Sequence, residues 1–155
     1  MADSTYQKLK QFYADSKVLF RELVHDPGAS AEEYHQALGC RYEQQLKCLL
    51  IKVYEQNKEY FVMVTIPANK RADFETIKQH FNAKKIRGAT LDELRQVTGC
   101  EYGEVPASGK IFGISLLMDK DFLNEQEVYM NAGIVTKSFV VNPKDLIKIE
   151  EPLIF

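Results

Sequence analysis

The chain has 155 residues, 45% of them hydrophobic and 27% charged, with a formal net charge of −2. That length and mix can bury one sizeable core and belong to a soluble globular protein. The slight acidity excludes a protein that tracks nucleic acid through overall positive charge, so such a partner would need a local basic face. No run approaches the roughly eighteen apolar residues of a membrane span, and there is no internal repeat or low-complexity tract. Three cysteines, Cys40, Cys48 and Cys100, form no close pair and no metal-ligand spacing. Their odd number, and the missing signal peptide, predict a reducing cytoplasmic compartment.

In chain order, Ser4 caps a first helix whose apolar positions Tyr6, Leu9, Phe12, Tyr13, Leu19, Phe20, Leu23 and Val24 recur at helical spacing. Asp26-Pro27-Gly28 stops it, so residues 1–25 read as an N-terminal helix packed on the rest of a single domain. Ser30 with Glu33 predicts a short helix that closes at Gly39. Leu46 to Tyr54 reads as a strand, turning at Gln56-Asn57-Lys58 into the apolar run Tyr60 to Ile66, a hairpin at the centre of a sheet. A helix over Arg71 to Phe81 follows, then a short strand at Ile86. Thr90 and Glu93 form a capping box for a helix ending at Gly99. Ile111 to Met118, Glu127 to Met130 and Phe139 to Val141 read as three further strands, and Asn142-Pro143 opens a last helix. The sum is an α/β domain, a mixed sheet flanked by helices.

Two places carry chemical interest. Alternation puts Lys47 on the face of its strand that also carries Leu49, Ile51 and Val53. An ammonium there must snorkel to water, meet a carboxylate, or wait for an anionic ligand. The segment Thr98 to Gly109 holds Gly99, Gly103, Gly109 and Pro106. Glycine permits positive φ and close backbone approach, and proline fixes φ and withholds a donor. A stiff loop of this kind can clamp the backbone or sugar of a ligand, or simply connect a helix to a strand. Cys40 and Cys48 read as buried, inert thiols, and Cys100, in the loop, as more exposed. None of His25, His35 and His80 can be assigned to it as a catalytic base. No nucleophile elbow, zinc spacing, Walker loop or dinucleotide loop is present.

Taken in order, His25-Asp26-Pro27, Ala37-Leu38-Gly39, Lys47 opening a strand, Ala83-Lys84-Lys85, Thr98-Gly99, the Gly103 loop, Asp119, Val128-Tyr129, Ala132-Gly133 and Asp145-Leu146 resemble the YbaK/prolyl-tRNA synthetase-associated editing domains. The resemblance covers about five-sixths of the chain, on the order and spacing of motifs that are individually short. It implies a freestanding hydrolase that removes a mischarged small amino acid from tRNA, chiefly tRNA for proline, without metal or organic cofactor. Aminoacyl-tRNA is then the partner, with an aminoacyl-tRNA synthetase as a further one, and neither DNA nor membrane. The alternative on the same fold is a noncatalytic tRNA-binding or synthetase-docking module. A third reading is a fold relative that binds a small anionic metabolite at Lys47.

Carried over, Lys47 is the electrostatic clamp on the terminal nucleotide and acyl end, and Gly103 shapes the catalytic pocket through its backbone. Pro106, Ala107, Gly133, Ser138 and His25 become substrate-binding candidates. Gly133 reads equally as a turn glycine, and His25-Asp26 equally as a helix stop. Two departures stand out. Family members commonly show Gly-x-x-x-Pro, whereas Gly103-Glu104-Val105-Pro106-Ala107 places proline one position early and alanine where proline is expected. Cysteine-selective members tend to carry aspartate where this chain has Ser138, so cysteine selectivity is not implied. Arg41, Lys70-Arg71 and Lys84-Lys85-Arg87 are the candidates for a local positive face.

Overall fold

Nine residues from Leu46 to Tyr54 form the spine of the molecule, strand β2, because their alternation feeds two different apolar cores on its two faces. The computed structural model describes residues 4–27 and 30–155. In chain order the elements are α1 (Thr5–Asp15), β1 (Phe20–Val24), α2 (Ala31–Leu38), β2 (Leu46–Tyr54), β3 (Glu59–Pro67), α3 (Phe74–Gln79), β4 (Lys85–Gly88), α4 (Leu91–Thr98), β5 (Ser115–Met118), β6 (Val128–Ile134), β7 (Lys137–Val141), α5 (Pro143–Glu150) and β8 (Leu153–Ile154), with three short 3-10 turns between them. The strands divide between two sheets. One is mixed, in the order β4-β2-β3-β5-β8, with β5 parallel to both β3 and β8. The other is antiparallel, β1-β7-β6.

The α/β reading holds, with three differences. The first helix stops at Asp15, where Ser16 caps it and Lys17 takes a φ of 58°. Phe20–Val24, expected as its continuation, instead pairs along β7 from Phe20↔Val141 to Val24↔Lys137. Gly28, part of the expected stop, lies outside the described residues. The expected strand Ile111 to Met118 is a 3-10 turn over Lys110–Phe112 and then β5, because Gly113 turns left-handed at φ 69° between them. The helix expected over Arg71 to Phe81 is only Phe74–Gln79, since the Asp73 carboxylate accepts from the Glu75 and Thr76 amides and fixes the start.

Local chemistry elsewhere agrees with the sequence. Ser30 and Thr90 accept from the Glu33 and Glu93 amides, and Gly39 and Gly99 end their helices at φ 68° and 71°. Three cores result. Leu9 and Tyr13 of α1 meet Phe139, Val128 and Met130 of the small sheet and Leu146 of α5. Ile51, Val53, Val62 and Val64 pack under Ile77 of α3 on one face of the large sheet, and Leu50, Met63 and Leu116 pack under Leu94 of α4 on the other. Each such fully buried aliphatic side chain contributes about 1.5–3 kcal/mol. The two sheets meet where Gln45, just before β2, bridges to Tyr129 of β6.

Candidate active site

At that junction lies a cavity of about 310 Å³, walled by the start of β2, by Tyr129 and Asn131 of β6, by Ser30, Ala31 and Tyr34 at the head of α2, and by Tyr102, Gly103 and Val105 of the loop. Lys47 and Gly103, far apart in sequence, both line it. The apolar row does run as alternation predicts: Ile51 and Val53 are core, Leu49 packs at its margin, and Lys47 faces Ile66 across β3. The row leaves the core at Lys47, whose side chain is exposed and makes no ion pair among the described residues. Among the described residues nothing supports the ion-pair reading, and the ammonium faces solvent at the cavity wall.

Gly103 has a specific backbone task. The Glu104 amide donates to the Glu101 carbonyl (3.2 Å), closing a four-residue turn with Tyr102 and Gly103 at its centre. Gly103 has φ 84°, the positive value that the third position of a type II turn demands and that favours glycine. Among the described residues the Gly103 amide donates to no protein acceptor. The turn is held from several sides. Arg95 forks onto the Glu101 carboxylate (2.7 and 3.0 Å), the Glu104 carboxylate accepts from the Glu101 amide (3.0 Å), and the Gly133 amide donates to the Glu104 carbonyl (3.0 Å).

The loop's far end is fastened by Glu150, only 4% exposed at the last turn of α5. Its carboxylate accepts from the Ser108 hydroxyl (2.5 Å) and from the Gly109 and Lys110 amides (3.0 and 3.1 Å). Pro106 and Ala107 are buried beneath the loop, Ala107 within the core of α1 and the small sheet, and neither lines the cavity. A proline at the position of Ala107 would therefore press on that core rather than on a ligand. Gly133 is likewise set back from the cavity wall. At φ 90° it lets β6 pass the start of α1 so closely that a Cβ would sit 2.8 Å from the Tyr6 nitrogen.

Ser138 and His25 act from behind the wall. Ser138 is fully buried. The Tyr34 hydroxyl donates to the Ser138 hydroxyl (2.7 Å), which lies 2.7 Å from His25 Nε2, while His25 Nδ1 lies 2.7 Å from the Asp26 carbonyl. One arrangement satisfies the chain: Nδ1–H donates to the carbonyl, and Nε2 accepts from Ser138. Tyr34 carries this order into the cavity, and burial pushes its hydroxyl far above the ordinary phenol range. Asn131 adds the wall's unpartnered polar group, its Oδ1 being sealed from solvent without a hydrogen-bond partner among the described residues.

The cysteines offer no nucleophile. Cys100 is 1% exposed, against the expectation of an exposed loop thiol, because its backbone turns inward at the end of α4 and its side chain joins the core under that helix. Burial raises the thiols of Cys40, Cys48 and Cys100. Among the described residues no group of three or more His, Cys, Asp or Glu side chains could hold a metal ion. Half of the expected basic face is internally neutralised, and Arg71 makes no ion pair among the described residues. Arg41 pairs with Glu43 and Glu125, Lys70 with Asp119 and Asp121, and Arg87 with Glu93, while Lys84 and Lys85 make no ion pair among the described residues. No helix among the described residues is long and apolar enough to cross a membrane.

Tyr34, Tyr102 and Asn131 line the cavity and Glu150 anchors the loop beside it, and sequence reasoning put none of them among the site candidates. Glu150 did carry a signal: an acidic residue in the last turn of a helix opposes the macrodipole, so a specific set of donors is to be expected around it.

Comparison with known proteins agrees with this geometry. The chain is 24% identical over 149 residues to the Escherichia coli (strain K12) multifunctional Ser/Thr-tRNA deacylase ProXp-y, covering 96% of this chain and 89% of that protein. It is 29% identical over 101 residues to the proline–tRNA ligase of Thermosipho melanesiensis, 64% of this chain but 17% of that enzyme. The fold superposes on the crystal structure of a proposed trans-editing enzyme for prolyl tRNA synthetase with a TM-score of 0.78 at 21% identity, covering 100% of this chain and 97% of that one. A hypothetical protein of known structure reaches a TM-score of 0.86 at 22% identity, over 95% and 96% of the two chains. Residues 25–149, which include the cavity, the lysine and the anchored glycine turn, match the aminoacyl-tRNA editing domain, and the chain belongs to that family.

Proposed function

We propose that the protein is a freestanding, cytoplasmic deacylase that hydrolyses tRNA mischarged with a small amino acid, with tRNA for proline the first candidate and seryl and threonyl groups the first acyl groups to test. The observation that carries this reading is the juxtaposition of Lys47 and the unused Gly103 amide on one small cavity. About 310 Å³ is at the lower end of ligand cavities, which span roughly 300–1,000 Å³. With a terminal ribose partly inside, only a small acyl side chain fits.

An aminoacyl ester is already activated compared with an amide, so positioning and charge stabilisation are enough. Lys47 holds the phosphate and acyl end of the tRNA. Water adds to the ester carbonyl, and the Gly103 N–H donates to the oxygen that becomes negative. The carbon–oxygen bond to the ribose then breaks, the ribose oxygen takes a proton, and the free amino acid leaves. The family resemblance supports a neighbouring ribose hydroxyl as the group that helps activate the water. The likeness to proline–tRNA ligases supports a synthetase as a second partner.

The test is a panel of alanyl-, cysteinyl-, seryl- and threonyl-tRNA, with prolyl-tRNA as the correctly charged control and chelator present throughout. Hydrolysis of at least one mischarged species, with prolyl-tRNA spared, is expected. Bound tRNA with none of the four hydrolysed would mark a noncatalytic docking module instead.

A further inference from the structure

We infer that Tyr102 is a stacking platform for the terminal nucleobase of the tRNA; the inference rests on the deacylase reading for the identity of its ligand. The side chain is 62% exposed, although it belongs to a cavity wall and sits next to the turn glycine. Exposure of a large aromatic ring on a floppy loop would mean little. This ring stands on a turn fixed by the Arg95–Glu101 fork, the Glu104 carboxylate and the Gly133 amide, with the Glu150 clamp holding the loop's other end. A ring presented from a rigid base loses little freedom when a flat partner covers it.

The neighbours decide which part of a nucleotide it meets. The turn that carries Tyr102 also carries Glu101 and Glu104, and the cation beside it, Arg95, is taken up by Glu101, so the turn offers a phosphate no free positive charge, while Lys47 on the wall of the same cavity does. An uncharged base therefore belongs over Tyr102, with the phosphate toward Lys47 and the ester between them. Single-stranded RNA ends are recognised in this way, by unstacked bases laid on aromatic side chains.

The chain contains no tryptophan, so Tyr102→Trp provides a lone fluorescent indole at the proposed contact. Its emission should be quenched saturably by the RNA trinucleotide CCA and not by the same trinucleotide with an abasic 3′ end. In kinetics, Tyr102→Ala should lower kcat/KM on a mischarged tRNA about 5- to 100-fold, chiefly through KM, in keeping with the worth of one base–aromatic stack. Tyr102→Phe and Tyr102→Trp should stay within about threefold of the wild type. A substrate with an abasic 3′ end should be cut equally by the wild type and Tyr102→Ala. Equal melting temperatures for all variants would confirm that an exposed side chain was altered without harm to the fold.

Quenching that ignores the base, or wild-type kinetics for Tyr102→Ala, would overturn the platform. If no mischarged tRNA is hydrolysed but base-dependent quenching is seen, the platform stands and the deacylase reading falls. If hydrolysis proceeds and neither readout depends on the base, the reverse holds.

Discussion

Gly133→Ala separates a glycine that lines the cavity from one that closes the packing behind it. The structure predicts two distinct costs. Holding an L-residue at positive φ costs about 1–2 kcal/mol. The added Cβ would also lie 2.8 Å from the Tyr6 nitrogen and 3.2 Å from two Thr5 side-chain carbons. Those atoms cannot step aside singly, because they belong to the first turn of α1 and the Thr5 hydroxyl donates to the Thr98 carbonyl. Overpacking of this kind adds about 1–3 kcal/mol. Gly39→Ala isolates the first cost, since Gly39 has φ 68° and open space around its would-be Cβ. In a chain of this size each kcal/mol lowers Tm by about 2–4 °C, so Gly133→Ala should melt roughly 4–20 °C lower and Gly39→Ala about 2–8 °C lower. Urea titration should give the same order, with unchanged slopes. Displaced α1 would loosen the Gly133 amide bond to Glu104, so folded Gly133→Ala should lose several-fold in deacylation, no more. Equal melting losses in the two variants, or a stable Gly133→Ala whose kcat/KM collapses, would refute the packing role and put Gly133 against the substrate.

Lys47→Ala removes an exposed cation without an ion pair among the described residues, so stability should hold within about 0.5 kcal/mol while deacylation falls about 10- to 100-fold, the worth of one charge-assisted contact. Lys52→Ala, on the other face and paired with Glu59 and Glu93, should keep full activity; a stable and fully active Lys47→Ala would end the claim for that lysine. Ser138→Ala strands the Tyr34 hydroxyl and should cost about 1–3 kcal/mol. Adding Tyr34→Phe should return part of that loss, and strict additivity in this double-mutant cycle would show that the two hydroxyls are not coupled. The Arg87 guanidinium holds the Glu93 carboxyl down at about 2, against an ordinary 4.5. A depressed carboxyl stabilises the fold above its unfolded pKa and loses that contribution as pH falls toward the folded one. The melting temperature should therefore decline between pH 4.5 and 2, and Glu93→Gln should flatten that decline; an unchanged acid slope would count against the pair.

The helix caps and the β2–β3 hairpin were legible because they rest on short-range chemistry: Ser30, Thr90 and Asn142 accept from amides two or three residues on, and the hairpin is closed by the four residues between Tyr54 and Glu59. Strand β1 was not. Phe20, Leu23 and Val24 fit a helical period as well as a strand, and only pairing with β7, more than a hundred residues away, decides between them. Leu19 and Val24 are among the most exposed apolar side chains, which no periodicity would announce. At the site, Lys47 and Gly103 were legible because each breaks a local rule. Ala107, Gly133 and Ser138 were drawn toward the ligand because they neighbour it in sequence motifs, yet each lies one layer behind the cavity, where it meets α1, the Glu104 carbonyl or the Tyr34 hydroxyl.

That displacement has a physical logic. The mechanism proposed above rests on a backbone amide and one lysine, which leaves few side chains in the cavity to hold its geometry, so rigidity must come from outside it. Here the glycine turn is tied to α4 through Arg95, to β6 through Gly133, and the loop's exit to α5 through Glu150. On the other wall, Tyr34 is tied through Ser138 to His25 at the end of β1. The four ties reach the small antiparallel sheet, α5 packed on it and α4 packed on the large sheet, so a shift in the cores beneath them changes the position of the Gly103 amide relative to Lys47. The early proline and the buried Ala107 fit the same arrangement: the loop's shape is imposed by its three anchors, and a proline at the position where family members carry one is not needed to hold it.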